Sequence, residues 1–219
     1  MKKLHVIFDL DGTLANSFGP VATAFLAIAD RAGLPCDEQV RSRLAENYGL
    51  PVTELLNVCW PGADHEIFER SLRGQDLSDR IPLFPSAKAV LSALDRDGIG
   101  MSIFTDRRRD DAFSALKSLA IDNFFVSVVT RDDVVNGKPD PAGLKRIADP
   151  LLANGMARAS LIYIGDSGAD YACARQANID FVAVTETANA SRERFLALGL
   201  PDDRILSRLR DLPAWLEIE

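Results

Sequence analysis

Acidic residues come directly after two of the apolar runs in the sequence. Asp9 and Asp11 follow the run LHVIF, and Asp166 and Asp170 follow the run SLIYIG. In an open parallel sheet, ligands bind outside the carboxyl ends of the strands, so these acids are expected at one edge of such a sheet. Clustered carboxylates repel one another unless cations neutralise them. Mg²⁺ is suited to this, because it commonly bridges protein carboxylates to phosphate oxygens.

Other groups that can hold a phosphate follow the remaining runs. Thr105 ends the run GMSIFT and can donate a hydrogen bond to a phosphoryl oxygen. Lys138, in the stretch NGKPDP, would add a positive charge to the acids. Gly12 permits a tight turn and a close approach of the backbone to a ligand. Together these residues predict a pocket for magnesium and phosphate.

Asp9 and Asp11 can divide one reaction between them. A carboxylate nucleophile forms an aspartyl phosphate and splits hydrolysis into two displacements. The neighbouring acid can protonate the departing alkoxide and then take a proton from the incoming water. Any single acid could instead belong to a turn or cap a helix, since Asp is common in both. However, three separate loops all supply reactive groups to one edge of the sheet. Positions in turns and helix caps explain this combination less well than a shared site does.

The elements that must position these residues follow from the hydrophobic pattern. Five short apolar runs without clean alternation predict buried strands of a parallel sheet, at residues 4–8, 100–105, 124–130, 160–165 and 181–185. Helical patterns separate the later strands, at residues 85–97, 110–119, 141–153 and 169–177. Strands that alternate with helices predict an α/β fold with a doubly wound parallel sheet.

A helical insertion interrupts this alternation. More than ninety residues separate the first two predicted strands, too many for one crossover helix. Helical spacing within them covers residues 17–32, 37–47, 52–59 and 63–73, punctuated by Gly and Pro. The prediction is a core of residues 1–16 and 81–219 and a small helical cap of residues 17–80, with linkers near 15–19 and 78–84.

Composition limits the class of protein. The 219 residues are 47% hydrophobic and 26% charged, as in globular proteins. A formal net charge of −7 argues against nucleic acids and anionic membranes as partners. Three cysteines without CxxC spacing favour a reducing compartment over a disulfide framework or a zinc site. The apolar stretch before Asp9 is too short for a secretory signal or a membrane span, so a cytoplasmic location is expected.

Four motifs occur in the order that is typical of one enzyme superfamily. They are DLDGT from Asp9, FTD at Thr105, GKPDP at Lys138 and GDSGAD from Asp166 to Asp170. In this arrangement the sequence resembles the phosphatases of the haloacid dehalogenase superfamily, over nearly the whole chain. The resemblance implies a Rossmann-like core in which the first strand lies beside the fourth.

The resemblance also implies roles for these residues. Asp9 would be the nucleophile and Asp11 the general acid and base, while Thr105 and Lys138 would hold the phosphate. Asp166 and Asp170 would surround Mg²⁺, together with the side chain of Asp9 and the backbone carbonyl of Asp11. The substrate would be a small phosphorylated metabolite.

The insertion resembles the type-1 helical cap of the superfamily, which closes over the site and excludes water from the wrong step. By similarity, the turn LAENYGLP at residues 44–51 would probe the site, with Asn47 and Tyr48 as candidate substrate contacts and Arg43 as an anion contact. A simple Gly-Pro helix break with an exposed Asn explains the same turn.

Departures from the family pattern bear on the subfamily. Sequences similar to phosphoglycolate phosphatases usually read DGTLxDS, and Asn16 replaces the last acid of that motif. Asp106 and Arg107 stand where relatives often have Asn and Lys, and the second of these positions often borders the substrate. Asp106 is counted with the substrate-binding candidates for its position, and Gly12 is counted with them for the close backbone approach that it permits.

Rival functions within the family are tested by single residues. Dehalogenases lack the second acid of the first motif, so Asp11 argues against that activity. Phosphonoacetaldehyde hydrolysis needs a lysine in the cap to form a Schiff base, and there is none between Lys3 and Lys88. A β-phosphoglucomutase-like phosphoryl transferase and a catalytically silent binding protein on the same fold stay open as alternatives.

Overall fold

The structure is a computed structural model that describes residues 4–48, 50, 52–64, 66, 68, 70, 71, 80–187 and 190–218. The chain divides into two compact units. We call Met1–Asn16 with Pro82–Glu219 the core unit, and Ser17–Ile81 the helical unit. The boundaries drawn on the sequence were at residues 16–17 and 80–81.

The core unit is built on a parallel sheet. Within the described residues it has six strands, β1 His5–Phe8, β2 Gly100–Phe104, β3 Ser127–Val129, β4 Leu161–Gly165, β5 Asp180–Val184 and β6 Ile205–Leu206. Their order in the sheet is β3-β2-β1-β4-β5-β6, and every neighbouring pair is parallel. The five strands predicted from the apolar runs are present. The sixth was missed, because its apolar run is only two residues long.

The helical unit has a hydrophobic core of its own. Its helices include α1 Phe18–Arg31, α2 Glu38–Asn47 and α3 Val52–Cys59. The side chain of Asp37 caps α2 by accepting a hydrogen bond from the backbone of Val40. Buried side chains from these helices and from the segment after them form one cluster, which includes Phe25, Ile28, Leu44, Leu56, Trp60 and Phe68. The helix predicted over 63–73 and the linker predicted near 78–84 lie partly outside the described residues.

Helices of the core unit alternate with its strands. They are α4 Ala87–Arg96, α5 Arg109–Ser118, α6 Ala142–Ala153, α7 Gly168–Ala177, α8 Arg192–Ala197 and α9 Leu212–Trp215. The first four agree with the predicted helices, and the predicted doubly wound α/β fold is confirmed. Strands β1 and β4 are buried at every residue, as expected for a parallel sheet. In the described part of the chain, no helix is both long and apolar enough to cross a membrane.

The register of the sheet brings the ends of the central strands together. Phe8 at the end of β1 is paired with Ile103 of β2 on one side and with Ile164 of β4 on the other. The backbone N–H of Asp9 continues this pairing and donates to the Ile164 carbonyl at 2.9 Å. The residues that follow β1, β2 and β4 therefore leave the sheet at the same edge.

Backbone hydrogen bonds join the two segments at which the chain leaves the core unit and returns to it. The backbone N–H of Asn16 donates to the Pro82 carbonyl at 2.8 Å, and that of Phe84 donates to the Leu14 carbonyl at 2.9 Å. This short ladder lets the chain leave the core unit and return to it at one place without disturbing the sheet.

Candidate active site

Asp9 lies buried at the end of β1. Its Oδ1 accepts a hydrogen bond from the backbone N–H of Leu10 at 2.7 Å and lies 2.7 Å from the Nζ of Lys138. Burial raises the pKa of Asp9, the charge of Lys138 opposes this, and the nearby carboxylates of Asp170 and Asp166 add to it. The net direction is upward, so the ionised form of Asp9 needs cations around it.

Lys138 is the central cation of the site. Its Nζ lies 2.7 Å from Asp9 Oδ1 and 2.7 Å from Asp170 Oδ1, and the side chain is only 5% exposed. Burial alone would lower the pKa of Lys138, but the charges of Asp170 and Asp9 outweigh it and raise that pKa. The ammonium also lies 5.0 Å from the ring centre of Phe104 and 5.5 Å from that of Tyr163, within the range of cation–π attraction.

Asp170 is held by donors on both of its oxygens. Oδ1 accepts from the Tyr163 hydroxyl at 2.6 Å and from Lys138, while Oδ2 accepts from the backbone N–H and the hydroxyl of Ser167. Ser167 and Asp170 form a reciprocal capping box at the start of α7. Burial would raise the pKa of Asp170, but Lys138 and these hydrogen bonds lower it on balance. Asp170 is therefore a fixed carboxylate anchor for Lys138.

Asp166 has much weaker partners. The hydroxyls of Thr13 and Thr187 lie 3.4 and 3.5 Å from its oxygens. Burial, and after it the charge of Asp170, raises the pKa of Asp166 to about 8. Gly12 makes room for this carboxylate, because a Cβ on Gly12 would lie 2.1 Å from Asp166 Oδ2. The φ of Gly12, 78°, also favours glycine, which fits the predicted tight turn.

The donor set of this cluster suits a hard divalent cation. Asp9, Asp166 and Asp170 each offer a carboxylate oxygen, and these oxygens lie within 4.8 Å of one another. Lys138 contacts two of the three acids, so one ammonium faces three carboxylates. Oxygen ligands and an excess of negative charge are what Mg²⁺ requires, so these residues fit the predicted ion. Because Asp170 already accepts from Lys138, Tyr163 and Ser167, the direct ligands are better sought in Asp9 and Asp166.

Asp11 lies in a different environment from Asp9. Its carboxylate accepts two hydrogen bonds from Arg107, from Nε to Oδ2 at 2.6 Å and from Nη2 to Oδ1 at 2.6 Å. The Asp11 side chain is 27% exposed, whereas Asp9 is buried among charges. The Thr105 hydroxyl is close to Arg107 as well, since it accepts from the Arg107 backbone N–H at 3.1 Å. Sequence reasoning placed Arg107 near the substrate but did not foresee its pairing with Asp11.

Asp106 supports the loop that carries Lys138. Its Oδ1 accepts from the backbone N–H of Lys138 at 3.1 Å. A Cβ on Gly137 would lie 2.7 Å from the same oxygen, so glycine is needed before the lysine. The sequence prediction counted Asp106 as a substrate contact, and the observed contact of its carboxylate is with the backbone of this loop.

The candidates Arg43 and Asn47 belong to the helical unit, on α2. The Asn47 amide donates to the Arg43 carbonyl at 2.9 Å, one turn earlier in the helix. Arg43 lines a cavity of about 290 Å³ within the helical unit, beside Cys59 and Trp60. These contacts are internal to the unit, so a role of Arg43 or Asn47 toward the strand-end residues stays a prediction. Gly49 and Pro51 of the predicted turn lie outside the described residues.

Several contributors to the site carried no clear signal in the sequence. Tyr163 sits in the middle of a buried apolar run, where a tyrosine is expected to serve as core. Thr13 and Thr187 are buried threonines of loops. Ser167 could have been found, because a serine three residues before an acid at a helix start is the pattern of a capping box.

Known proteins are similar to this chain over most of its length. The chain is 28% identical over 216 residues to a phosphoglycolate phosphatase of Yersinia pestis, covering 94% of this chain and 90% of the relative. It is 30% identical over 190 residues to a phosphoglycolate phosphatase of Neisseria meningitidis, covering 82% and 79%. A crystal structure of a haloacid dehalogenase-like hydrolase from Bacteroides fragilis superposes with a TM-score of 0.83 at 27% identity, covering 97% of this chain and all of the other.

The family model described as haloacid dehalogenase-like hydrolase matches residues 6–184. That range contains every strand-end residue of the site, from Asp9 to Asp170. The match confirms the resemblance found in the motifs, and the chain belongs to the haloacid dehalogenase-like hydrolase family.

Proposed function

We propose that this chain is a magnesium-dependent phosphatase that hydrolyses a small phosphomonoester through an aspartyl phosphate on Asp9. Its family and its curated relatives make it a phosphatase of the haloacid dehalogenase-like group. The observation that most supports the mechanism is the position of Lys138, whose Nζ lies 2.7 Å from both Asp9 and Asp170. A buried carboxylate beside a fixed cation is well placed to meet an anionic phosphoryl group.

In the first displacement, a carboxylate oxygen of Asp9 attacks phosphorus and the ester P–O bond breaks. Asp11 gives its proton to the departing alkoxide oxygen, which leaves as an alcohol. In the second displacement, water attacks the phosphorus of phospho-Asp9 and transfers a proton to Asp11, and the P–O bond to the Asp9 carboxylate breaks. Inorganic phosphate then leaves, and both acids return to their initial states.

The other residues hold the phosphoryl group during both displacements. Lys138 offsets the charge of Asp9 and of the phosphoryl oxygens, and Thr105 donates from its hydroxyl to one of those oxygens. Asp9 and Asp166 would hold Mg²⁺, with the Asp11 carbonyl as the further ligand implied by the family. Bound there, the ion would neutralise the carboxylates and stabilise the charge of the transferred group.

We assign the helical unit the role of a cap that selects the substrate and limits access of water. Phosphoglycolate is the first substrate to test, because the relatives in Yersinia pestis and Neisseria meningitidis bear that name. The substrate class proposed here is wider, a small phosphorylated metabolite, and the location proposed is the cytoplasm.

The proposal is tested by measuring release of phosphate from p-nitrophenyl phosphate and a panel of phosphometabolites, with Mg²⁺ and with EDTA. We expect turnover that requires the metal, and one phosphoryl group on the acid-quenched protein by intact-mass spectrometry. Asp9→Asn should abolish both signals, while Asp110→Asn, an exposed acid in the first turn of α5, is the matched control.

Three results would contradict the proposal. Turnover that survives in Asp9→Asn would remove the nucleophile from the mechanism. Transfer of the phosphoryl group to a second sugar hydroxyl without release of phosphate would favour the phosphoglucomutase-like alternative. A protein that turns over no ester in the panel would favour the binding-protein alternative.

A further inference from the structure

Arg107 forms a bidentate ion pair with the carboxylate of Asp11. Its Nε donates to Oδ2 and its Nη2 to Oδ1, both at 2.6 Å. Two parallel hydrogen bonds from a rigid guanidinium set the orientation of a carboxylate as well as its distance, which a lysine ammonium cannot do. The Arg107 side chain is only 14% exposed, so the pair is less screened by solvent than an ordinary surface ion pair.

The backbone of Arg107 is itself fixed. Its N–H donates to the Thr105 hydroxyl oxygen at 3.1 Å, and its carbonyl accepts from the Arg131 N–H at 2.9 Å. Thr105 follows β2 and Arg131 follows β3, so both anchors come from the edge of the sheet. The sheet therefore holds in place the backbone that carries the guanidinium toward Asp11.

A general acid must be held in a defined orientation. An aspartate side chain can turn about two bonds, and a proton transfer requires its oxygen within hydrogen-bond reach of the reacting atom. A misplacement of about 1 Å can cost roughly 100-fold in rate. Each carboxylate oxygen has lone pairs in two directions, and the two hydrogen bonds from Arg107 occupy one direction on each oxygen.

We propose that Arg107 is a positioning residue that holds Asp11 in the orientation in which it exchanges protons with the leaving group and with water. The inference rests on the proposed function, because it presupposes that Asp11 is the general acid and base. Arg107 acts through Asp11 in this account and makes no contact with the substrate.

The test compares two esters of similar shape, p-nitrophenyl phosphate and phenyl phosphate, on Arg107→Gln and Arg107→Lys. The parameter kcat/KM reports the barrier up to the first displacement, in which the alkoxide leaves. Phenolate is the poorer leaving group and needs the proton more. For Arg107→Gln we expect kcat/KM to fall about 10- to 100-fold with phenyl phosphate and less than about threefold with p-nitrophenyl phosphate.

The kcat/KM of Arg107→Lys should lie between those of Arg107→Gln and the wild type. Lysine keeps the positive charge but cannot donate the two parallel hydrogen bonds. Arg109→Gln is the matched control, because Arg109 is a nearby, half-exposed arginine paired with Asp133. We expect its kcat/KM to stay within about twofold for both esters. In an Asp11→Asn background, Arg107→Gln should have little further effect, since the group that it positions has gone.

Equal losses with the two esters, or a rise in KM at unchanged kcat, would mean that Arg107 binds the phosphate or the substrate, and would overturn the inference. Unchanged kinetics in both Arg107 variants would overturn it too. If Arg107→Gln does not fold, as judged by circular dichroism, Arg107→Lys decides alone. A wild-type protein inactive on every ester would instead refute the proposed function, whereas an active wild type without selective loss refutes only the role of Arg107.

Discussion

The two ends of strand β1 bury polar side chains in opposite ways. At its start, His5 shares a hydrogen bond of 2.9 Å with the Ser102 hydroxyl, which also accepts from Ser127 at 2.9 Å. Burial lowers the pKa of His5 to about 4, so this group of side chains is neutral at neutral pH. Just past its end, Asp9 is buried against the charged Lys138.

This difference separates a buried group of neutral side chains from the charged side chains of the candidate active site. Neutral groups that satisfy one another's hydrogen bonds carry little penalty inside a protein. Buried charges carry a large one and persist only with counter-charges in place. We call Asp9, Asp166, Asp170 and Lys138 the charged edge, and His5, Ser102 and Ser127 the neutral end. The stability of the protein should therefore change strongly when the charged edge loses one partner or gains a cation. At the neutral end, stability should change when a proton binds.

The largest effect is expected from Lys138→Met, which breaks the charged edge. It would leave Asp9 and Asp170 buried without their ammonium, which should cost about 3–5 kcal/mol of unfolding free energy. Urea unfolding at neutral pH in EDTA measures this, with Lys145→Met on the exposed face of α6 as the control. A loss in Lys138→Met no larger than that of the control would show that the charges at this edge are not coupled.

Magnesium should stabilise the same edge. At a concentration about 100 times its dissociation constant, a ligand bound only by the folded state adds about 2.7 kcal/mol. We expect thermal unfolding of the wild type to shift upward with Mg²⁺ and that of Asp166→Asn to stay unchanged. Asp166→Asn should also be at least as stable as the wild type in EDTA, because an amide replaces a crowded carboxylate. An equal shift by Mg²⁺ in both proteins would place the ion elsewhere.

The neutral end should be sensitive to acid. The pKa of His5 is about 4 in the folded protein and 6.5 in its unperturbed state. Because the folded pKa is lower, the unfolded chain binds the proton first, and stability falls as the pH drops below 6.5 toward 4. Between pH 7.5 and pH 5 this amounts to about 2 kcal/mol.

A His5→Gln variant isolates that contribution to the pH dependence. Glutamine can still pair with the Ser102 hydroxyl but has no proton to gain in this range. Urea unfolding at the two pH values should show a smaller loss of stability in the variant than in the wild type. Parallel losses in both proteins would assign the acid sensitivity to other groups.

The smallest effect is expected from Tyr163→Phe, which removes one donor to Asp170 and keeps the ring. A hydrogen bond to a charged group is worth about 1.5 kcal/mol at the lower end of its range, and the remaining donors from Lys138 and Ser167 limit the loss. Tyr171→Phe is the matched control, since both tyrosine rings pack against Phe181. Equal changes in unfolding free energy would mean that the Tyr163 hydroxyl does not support the charged edge.

Much of the site follows from local patterns in the sequence. Buried parallel strands read as continuous apolar runs, so the ends of β1, β2 and β4 were predictable, and with them the positions of Asp9, Thr105 and Asp166. The sheet order that joins β1 to β4 came from the family resemblance, because a strand run does not specify its neighbours. β6 was missed for the reason that two apolar residues make no pattern.

The partners of the charged groups could not be predicted in this way. Arg107 and Asp11 are 96 residues apart in the chain, and their pairing depends on two loops that the sheet brings side by side. The Tyr163 hydroxyl reaches Asp170 because β4 turns directly into α7. Neither contact can be predicted from the composition or the periodicity of the sequence.

By itself, the sequence determined which residues end the buried strands, because the order of apolar and polar residues predicts both burial and strand length. It also determined the chemical types gathered at that edge, carboxylates, a hydroxyl and an ammonium. Only the tertiary structure decided how those charges are shared, with Asp170 saturated by Lys138, Tyr163 and Ser167, Asp166 weakly held, and Asp11 paired with Arg107. The physical reason is that a buried charge is set by the distances and donors around it, and folding supplies these from segments far apart in the chain.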